Sequence, residues 1–273
     1  MSGIDQLLIA PENREAAAAV FAKADVIFCL DFSGISRAEG LEEMILGSKA
    51  KKVMIDHHIN PEDFPDVKFH DQEASSTCEL VYKVIADLGG KDLIDANIAT
   101  ALYVGIMTDT GSFRFSSTTA EVHRITASLL ETGIDVGAIH NQIFDNFSEK
   151  RTRFLGYLLN EKMRVIPELK TSYMLVSLED KKRYEIKDGD TEGAVNYNLS
   201  IEGINFGVLM NEEEDRVKMS FRSIGQFACN EFAKNFNGGG HHNASGGRNL
   251  ASLEETEKKF LELLEQYRDQ LIY

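Results

Sequence analysis

Positive charge is scarce in this chain, and its scarcity limits the ligands that the protein can bind. The 273 residues include 29 Lys and Arg against 44 Asp and Glu, which gives a formal net charge of -15. Affinity for long duplex nucleic acid comes from many basic contacts to phosphates, so the charge balance argues against that class of ligand. Any phosphate that the protein handles is therefore expected to be small, bound where a metal or a few basic residues reverse the local field.

Cysteines and long apolar runs are also lacking. The three cysteines, Cys29, Cys78 and Cys229, are widely separated in apolar segments, which predicts core positions rather than a disulfide framework or a zinc site. No apolar run is long enough to cross a membrane, and the first ten residues lack the basic and apolar regions of a secretory signal. With 43% hydrophobic and 27% charged residues, the sequence predicts a globular, cytoplasmic protein of two domains with no membrane partner.

Two predicted strands each end in side chains that can bind a metal ion. Residues 26–30 form an apolar run followed by Asp31, and a second apolar run is followed by Asp56-His57-His58. Residues 37–46 between them have a helical pattern, so the two strands are expected to be parallel and joined by a right-handed crossover. Asp31 and His57 should then lie at the same edge of one sheet. Taken alone, the two histidines would be read as a solvent-exposed loop in which Asp56 caps a turn.

A third carboxylate follows a predicted helix. Asp95 is placed to cap a helix that breaks at Thr108-Asp109-Thr110-Gly111, so Asp109 can serve as a metal ligand at a helix end. By itself, this segment would be an ordinary helix C-terminal turn. The preceding helix is predicted to begin at a capping box formed by Ser76 and Glu79.

The second half of the chain has a different pattern. Residues 206–210 and 217–221 predict an antiparallel hairpin with a solvated acidic tip, which indicates an α+β domain. Arg222, at the end of this hairpin, carries a planar group suited to phosphate. Gly238, Gly239 and Gly240 precede His241 in a loop whose backbone N–H groups could approach an anion. A flexible glycine-rich loop is the alternative interpretation of this segment.

Together these motifs resemble the DHH phosphoesterase superfamily, which takes its name from the Asp-His-His found here at residues 56–58. The matching motifs, in chain order, are Asp31-Phe32-Ser33-Gly34, Asp56-His57-His58, Gly105-Ile106-Met107-Thr108-Asp109-Thr110-Gly111, Ser220-Phe221-Arg222-Ser223 and residues 238–247. Residues 195–203 are similar to the branch of nano-RNases and 3'-phosphoadenosine-5'-phosphate phosphatases, some relatives of which are described as exopolyphosphatase-like.

The resemblance implies an α/β fold with two domains. Residues 1–147 would form a parallel-sheet, metal-binding DHH domain, residues 148–163 a helical linker, and residues 164–273 a smaller α+β, DHH-associated substrate domain. The active site would lie in the cleft between the domains.

The resemblance also implies roles for individual residues. Asp31, His57 and Asp109 would bind metal, with two Mn2+ ions in the complete family site. His58 would lie at the substrate or metal edge of the catalytic site, and Asp56 would orient a histidine from behind it. The residues implied in substrate binding are Arg222, Gly238, Gly239, Gly240 and His241.

One family motif is not found. Members open with a strand and an Asp-x-Asp motif, whereas the only Asp-Gly-Asp here is Asp188-Gly189-Asp190, which is expected to be a surface turn. Residues 1–5 resemble a point partway through the family's first domain, so the chain is expected to be truncated at its N-terminus. We therefore expect Asp31, His57 and Asp109 to bind one Mn2+ weakly or none, and hydrolysis to be slow or absent.

The predicted function is a manganese-dependent phosphoesterase acting on short oligoribonucleotides (nano-RNA) or nucleotide bisphosphates such as 3'-phosphoadenosine 5'-phosphate. Two alternatives are a polyphosphate or pyrophosphate hydrolase and a non-catalytic nucleotide-binding module. The sequence leaves open a cyclic-dinucleotide substrate, the direction of cleavage and the oligomeric state, for which a homodimer is one option.

Overall fold

The structure is a computed structural model that describes residues 6–10, 12–38, 40–187 and 189–272. The chain divides into two compact units, Met1–Asp145 and Asn146–Tyr273. The expected surface turn at residues 188–190 includes Asp188, and the expected N-terminal truncation depends on residues 1–5. Asp188 and residues 1–5 lie outside the described residues. Across the described ranges, no helix combines the length and apolar character that a membrane span requires.

The N-terminal unit is built on a three-stranded sheet in which all strands are parallel, in the order β1-β2-β3. The strands are β1 (Val26–Leu30), β2 (Lys51–Asp56) and β3 (Val67–His70). The helices are α1 (Arg14–Phe21), α2 (Glu42–Gly47), α3 (Thr77–Asp87), α4 (Ala96–Asp109), α5 (Ala120–Leu130) and α6 (Val136–Phe144). The predicted parallel sheet of this unit is confirmed.

The crossover between β1 and β2 differs from the single helix predicted over residues 37–46. A 3-10 turn, Ile35–Ala38, precedes α2, and the two are separated by Gly40 with φ +86°. A left-handed residue cannot continue a right-handed helix, and glycine adopts this conformation at little cost. The crossover is therefore broken into two short pieces.

Helices α3, α4 and α5 supply the main core of the N-terminal unit. Ile106 and Met107 of α4 are fully buried. Gly105 lets α4 approach α3 closely, because a Cβ at this position would lie 2.2 Å from Cys78 Sγ. This close approach fixes the position of α4, which ends at Asp109.

The C-terminal unit is built on a six-stranded mixed sheet in the order β4-β5-β6-β7-β9-β8. The strands are β4 (Met163–Ile166), β5 (Thr171–Val176), β6 (Phe206–Glu212), β7 (Val217–Ser223), β8 (Gly239–His241) and β9 (Ala244–Asn249). The helices are α7 (Glu149–Tyr157), α8 (Leu178–Tyr184), α9 (Cys229–Ala233), α10 (Leu253–Gln266) and α11 (Arg268–Leu271). β5 pairs with β6 in parallel and the other pairs are antiparallel, so the predicted α+β class is confirmed.

One face of this sheet packs against a core rich in phenylalanine. The fully buried rings are Phe206, Phe221, Phe232, Phe236 and Phe260. The predicted hairpin is present as β6 and β7.

The glycine-rich segment is not the loop that the sequence predicts, because it forms the hairpin of β8 and β9. A Cβ at Gly238 would lie 2.1 Å from the carbonyl oxygen of Gly246, and one at Gly240, where φ is +143°, would lie 2.7 Å from that of Ala244. Gly238 and Gly240 are therefore required by close backbone packing.

Candidate metal centre

The carboxyl ends of β1 and β2 bring Asp31 and His57 together. Asp31 directly follows β1, and its N–H donates to the carbonyl of Ile55 at 3.2 Å. It is left-handed, with φ +66°, a conformation that Asp and Asn tolerate better than most residues. His57 directly follows β2, so adjacent parallel strands deliver both side chains to one edge.

Asp109, the last residue of α4, completes a cluster of three ligand atoms. His57 Nε2 lies 3.7 Å from Asp31 Oδ1 and 3.8 Å from Asp109 Oδ2. All three atoms lie within 4.8 Å of one another. This group of ligand atoms could hold a metal ion. The structure thus brings together the three residues to which the sequence assigned metal binding.

A hydrogen bond to the main chain orients the imidazole of His57 towards the two carboxylates. The side chain is buried, and Nδ1 lies 3.1 Å from the carbonyl oxygen of Ala74. A carbonyl can only accept, so Nδ1 donates to it and Nε2 faces the two carboxylates. The arrangement therefore fits a divalent ion.

The carboxylates of the cluster are positioned from α3 and affect each other electrostatically. Thr77, the first residue of α3, donates its hydroxyl to Asp31 Oδ1 at 2.7 Å. Burial, and then the negative charge of Asp31, raise the pKa of Asp109. Burial, followed by the charges of Asp109 and Asp31, also raises the pKa of the Cys78 thiol to about 11. Cys78 is consequently a neutral packing residue beside the cluster rather than a thiolate ligand.

Asp56 lies behind His58 and orients it. Asp56 is fully buried, its Oδ1 lies 2.8 Å from His58 Nδ1, and its Oδ2 accepts from the backbone N–H of His58 at 3.1 Å. Burial opposes ionisation of Asp56, but these hydrogen bonds outweigh it and lower the pKa of its carboxyl. His70 Nε2 adds a bond to the His58 carbonyl at 2.7 Å. Asp31, Asp56 and His58 also offer ligand atoms within 4.8 Å of one another, although both Asp56 oxygens are already bonded to His58.

The donor set suits a hard or borderline divalent cation. Two carboxylates and one imidazole favour ions such as Mn2+ over the soft metals that thiolates select. The Asp31 and Asp109 side chains are 59% and 43% exposed, so solvent or substrate can reach the two carboxylates.

In the C-terminal unit, Arg222 lies on β7 and is partly buried. Its Nη1 donates to the carbonyl of Phe221 at 2.9 Å, and no carboxylate among the described residues lies within 4.0 Å of it. Burial lowers the pKa of the guanidinium, and the charges on Cys229 and Glu192 oppose this effect. A partly desolvated charge without an ion-pair partner is a favourable site for an anion.

The remaining predicted substrate-binding residues lie in or beside the β8–β9 hairpin. Gly239 is the only one of Gly238, Gly239 and Gly240 at which a Cβ would meet open space. His241 ends β8 and pairs with Ala244. Of the three glycines, only Gly239 lacks a packing reason for being glycine.

Sequence reasoning missed three groups that hold the cluster in place. Thr77 lies in a Ser-Ser-Thr segment that the sequence pattern identifies only as a helix start. Its hydroxyl is the one feature of the sequence that could have indicated the hydrogen bond to Asp31. His70 ends β3 in register with Asp56, so the strand pairing could have indicated it. The carbonyl of Ala74 carries no signal in the sequence, because every residue has a carbonyl.

Two family models match this chain. Residues 3–106 match the DHH family, N-terminal domain, and residues 170–269 match the DHHA1 domain. An exopolyphosphatase-related protein from Bacteroides fragilis has a crystal structure similar to this chain, with a TM-score of 0.96 and 37% identity over 100% of this chain and 80% of that one.

Two curated relatives share the name bifunctional oligoribonuclease and PAP phosphatase NrnA. The protein from Bacillus subtilis is 26% identical over 82% of this chain and 71% of its own length. The protein from Thermus thermophilus is 32% identical over 80% of this chain and 64% of its own length. This chain therefore belongs to the DHH family of phosphoesterases, with a DHH N-terminal domain followed by a DHHA1 domain.

Proposed function

We propose that this chain is a Mn2+-dependent phosphoesterase that hydrolyses short oligoribonucleotides and 3'-phosphoadenosine 5'-phosphate. The observation that carries the proposal is the cluster of Asp31, His57 and Asp109, which offers two carboxylate oxygens and an imidazole nitrogen within 4.8 Å of one another. The names of the Bacillus subtilis and Thermus thermophilus relatives support the choice of substrates.

The roles of the residues follow from their contacts. Asp31, His57 and Asp109 would hold the ion, which when bound supplies Lewis-acid polarisation of a phosphoryl oxygen. Thr77 keeps the Asp31 carboxylate oriented, and the Ala74 carbonyl keeps the His57 imidazole oriented. Asp56 holds the imidazole of His58 in one orientation, and we assign His58 to contact with the substrate phosphate. Arg222 would bind a phosphate through its guanidinium.

A second candidate is polyphosphate or pyrophosphate hydrolysis, favoured by the likeness to the exopolyphosphatase-related protein. Family membership argues against the third alternative, a non-catalytic nucleotide-binding module. A cytoplasmic location and a homodimer stay predictions from the sequence.

The test is a Mn2+ titration by calorimetry, together with hydrolysis assays on a diribonucleotide, 3'-phosphoadenosine 5'-phosphate, pyrophosphate and polyphosphate. Asp31→Asn is the informative variant, because Asn is isosteric and tolerates the left-handed backbone at this position. Alanine, the simpler substitution, would add backbone strain at φ +66° and confuse loss of fold with loss of a ligand.

We expect Asp31→Asn to lose Mn2+ binding and hydrolysis together. The control is Asp63→Asn, which changes the same charge at a side chain that is 97% exposed and paired with Lys68. Full activity of Asp31→Asn would refute the metal site, and faster turnover of polyphosphate than of the nucleotides would select the second candidate. The same titration tests whether the chain binds one ion weakly or none, as the sequence predicts, or two.

A further inference from the structure

The loop that follows the metal ligand Asp109 carries an exposed aromatic ring to which the metal centre assigns no role. The ring belongs to Phe115, which is 46% exposed. The Phe115 N–H donates to the carbonyl oxygen of Thr110, the residue after Asp109, at 3.0 Å. Single exposed apolar residues are common in soluble proteins, so exposure by itself indicates no function. This ring differs from them in its place beside a metal ligand, in its support and in the main chain that carries it.

One face of the Phe115 ring is supported by the main chain. A Cβ on Gly111 would lie 2.4 Å from Cζ of this ring and 2.7 Å from both Cε1 and Cε2. Such similar distances to three adjacent ring atoms require the ring to face Gly111, because an approach to its edge would leave both Cε atoms much farther away than Cζ. The opposite face is therefore the one that a planar ligand can cover.

The main chain beneath the ring is held in an unfavourable conformation. Gly111, Ser112 and Phe113 are all left-handed, with φ of +57°, +61° and +63°, which residues other than glycine adopt rarely. Hydrogen bonds fix this turn: the Ser112 N–H donates to the carbonyl of Met107 at 2.8 Å, and the Phe113 N–H donates to the buried Thr110 hydroxyl at 3.0 Å. Strained main chain of this kind is concentrated at sites that hold a ligand in place.

The two phenylalanines of the loop have different surroundings. The ring centroid of Phe113 lies 6.0 Å from that of Tyr103 and 5.7 Å from that of His123, so Phe113 packs against the core of the N-terminal unit. Phe115 rests only its supported face on the loop and leaves nearly half of its surface to solvent. Phe113 therefore anchors the loop, and Phe115 is available for contact with a ligand.

The group that matches a supported aromatic face is a nucleobase. Unpaired bases of single-stranded RNA stack on aromatic side chains, and every base offers a flat face for this contact. In the proposed function the scissile phosphate binds at the metal cluster, and Phe115 is hydrogen-bonded to the main chain next to Asp109. A base on the sugar attached to that phosphate is thus the nearest planar group that a substrate can bring to the ring. Polyphosphate and pyrophosphate have no such group.

We propose that Phe115 is a stacking platform for the nucleobase next to the scissile phosphate, and that it favours nucleotides over phosphates that carry no base. The inference rests on the proposed function for the position of the phosphate. Stacking uses the face of a base and not its hydrogen-bonding edge, so all four bases should be accepted, with purines bound more tightly than pyrimidines.

The experiment uses the full chain with Mn2+ and, as the probe, the 5'-monophosphate of 2-aminopurine riboside. The fluorescence of 2-aminopurine is quenched when its ring stacks on an aromatic side chain. The probe has no phosphodiester bond, so the reading does not depend on hydrolysis. We expect the parent chain to bind and quench the probe. Phe115→Leu should bind it about tenfold more weakly and with little quenching, and Phe115→Tyr should retain both the affinity and the quenching.

Two controls separate base stacking from a general effect on the site. Ribose 5-phosphate keeps the sugar and the phosphate without the base, so its affinity by calorimetry should be the same for the parent and for Phe115→Leu. Phe144→Leu is the matched variant, because Phe144 is 41% exposed in the same unit but lies on α6, which carries no residue of the metal cluster. This variant should bind and quench the probe like the parent.

The inference is overturned if the parent does not quench the probe, if Phe115→Leu binds it as tightly as the parent, or if Phe115→Tyr behaves like Phe115→Leu. It is also overturned if Phe115→Leu weakens ribose 5-phosphate as much as the probe, because the ring would then support the loop and not a base. The hydrolysis assay on a diribonucleotide is independent. Hydrolysis without quenching refutes only the stacking platform, and quenching without hydrolysis refutes only the proposed function.

Discussion

Substituting Gly105 with alanine tests whether close packing of α3 against α4 positions the metal cluster. A Cβ at this position would lie 2.2 Å from Cys78 Sγ and 2.8 Å from Cys78 Cβ, whereas normal contacts are about 3.5–4.0 Å. Rotation of the Cys78 side chain can relieve the first contact but not the second, because Cβ is fixed to the backbone. The helices must therefore separate.

Two opposing effects determine how much Gly105→Ala changes the free energy of unfolding. Overpacking of this kind costs about 1–3 kcal/mol, and alanine gains at most ~1 kcal/mol over glycine in a helix interior. We expect a net loss of about 1–2 kcal/mol in the stability of the N-terminal unit. Mn2+ binding should weaken as well, because α4 carries Asp109 and α3 carries the Thr77 that bonds Asp31.

The matched control is Gly156→Ala in α7, where a Cβ would meet nothing within 4 Å. This change should stabilise the C-terminal unit by about 0.5–1 kcal/mol. Urea denaturation followed by hydrogen-exchange mass spectrometry separates the two units. In a Cys78→Ala background, most of the cost of Gly105→Ala should remain, because alanine keeps the Cβ that makes the 2.8 Å contact. Stabilisation by Gly105→Ala as large as that by Gly156→Ala would refute the reasoning.

Three further predictions concern the cluster, acid stability and the glycine-rich hairpin. Thr77→Val should weaken Mn2+ binding by about tenfold while Thr77→Ser keeps it, because only the hydroxyl bonds Asp31; calorimetry that gives equal affinities would contradict this. Burial opposes ionisation of Asp180, but hydrogen bonds from Lys162, Tyr157 and Ser177 lower its pKa from 3.8 to about 2. Because the folded pKa is depressed, Asp180 should contribute about 2 kcal/mol to the free energy of unfolding above pH 4. This contribution should be lost as the pH falls towards 2. Urea titrations at several pH values should show a flatter pH dependence of stability for Asp180→Asn. Gly238→Ala should destabilise the C-terminal unit by at least ~2 kcal/mol, because its Cβ would meet the main chain. Gly239→Ala should have the melting temperature of the parent. Equal melting temperatures for the two variants would show that packing does not require Gly238.

Much of the N-terminal unit could be predicted because its signals are local. The apolar runs before Asp31 and Asp56 specify strands, and the spacing between them requires a parallel crossover. The caps at Ser76 and Asp95 each accept the backbone N–H bonds expected of a helix start. The Glu79 half of the predicted capping box is different, because its carboxylate accepts from the N–H of Ser75 rather than Ser76.

The glycine-rich segment shows where local signals fail. Consecutive glycines favour a loop when considered alone, yet Gly239 and Gly240 lie in strand β8 of a hairpin, which Gly238 directly precedes. Glycine is required at residues 238 and 240 because the main chain there lies close to the carbonyl oxygens of Gly246 and Ala244. This close approach depends on how the strands pair and not on residues that are neighbours in the sequence.

The sequence by itself determined which chemical groups stand at strand and helix ends, and hence that Asp31, His57 and Asp109 could meet. Only the tertiary structure decided that they do meet, at 3.7 and 3.8 Å, and that a backbone carbonyl from Ala74 orients the His57 imidazole. The physical reason is that a side chain's identity is local, whereas its protonation, its hydrogen-bond partners and its distances depend on residues far away in the chain.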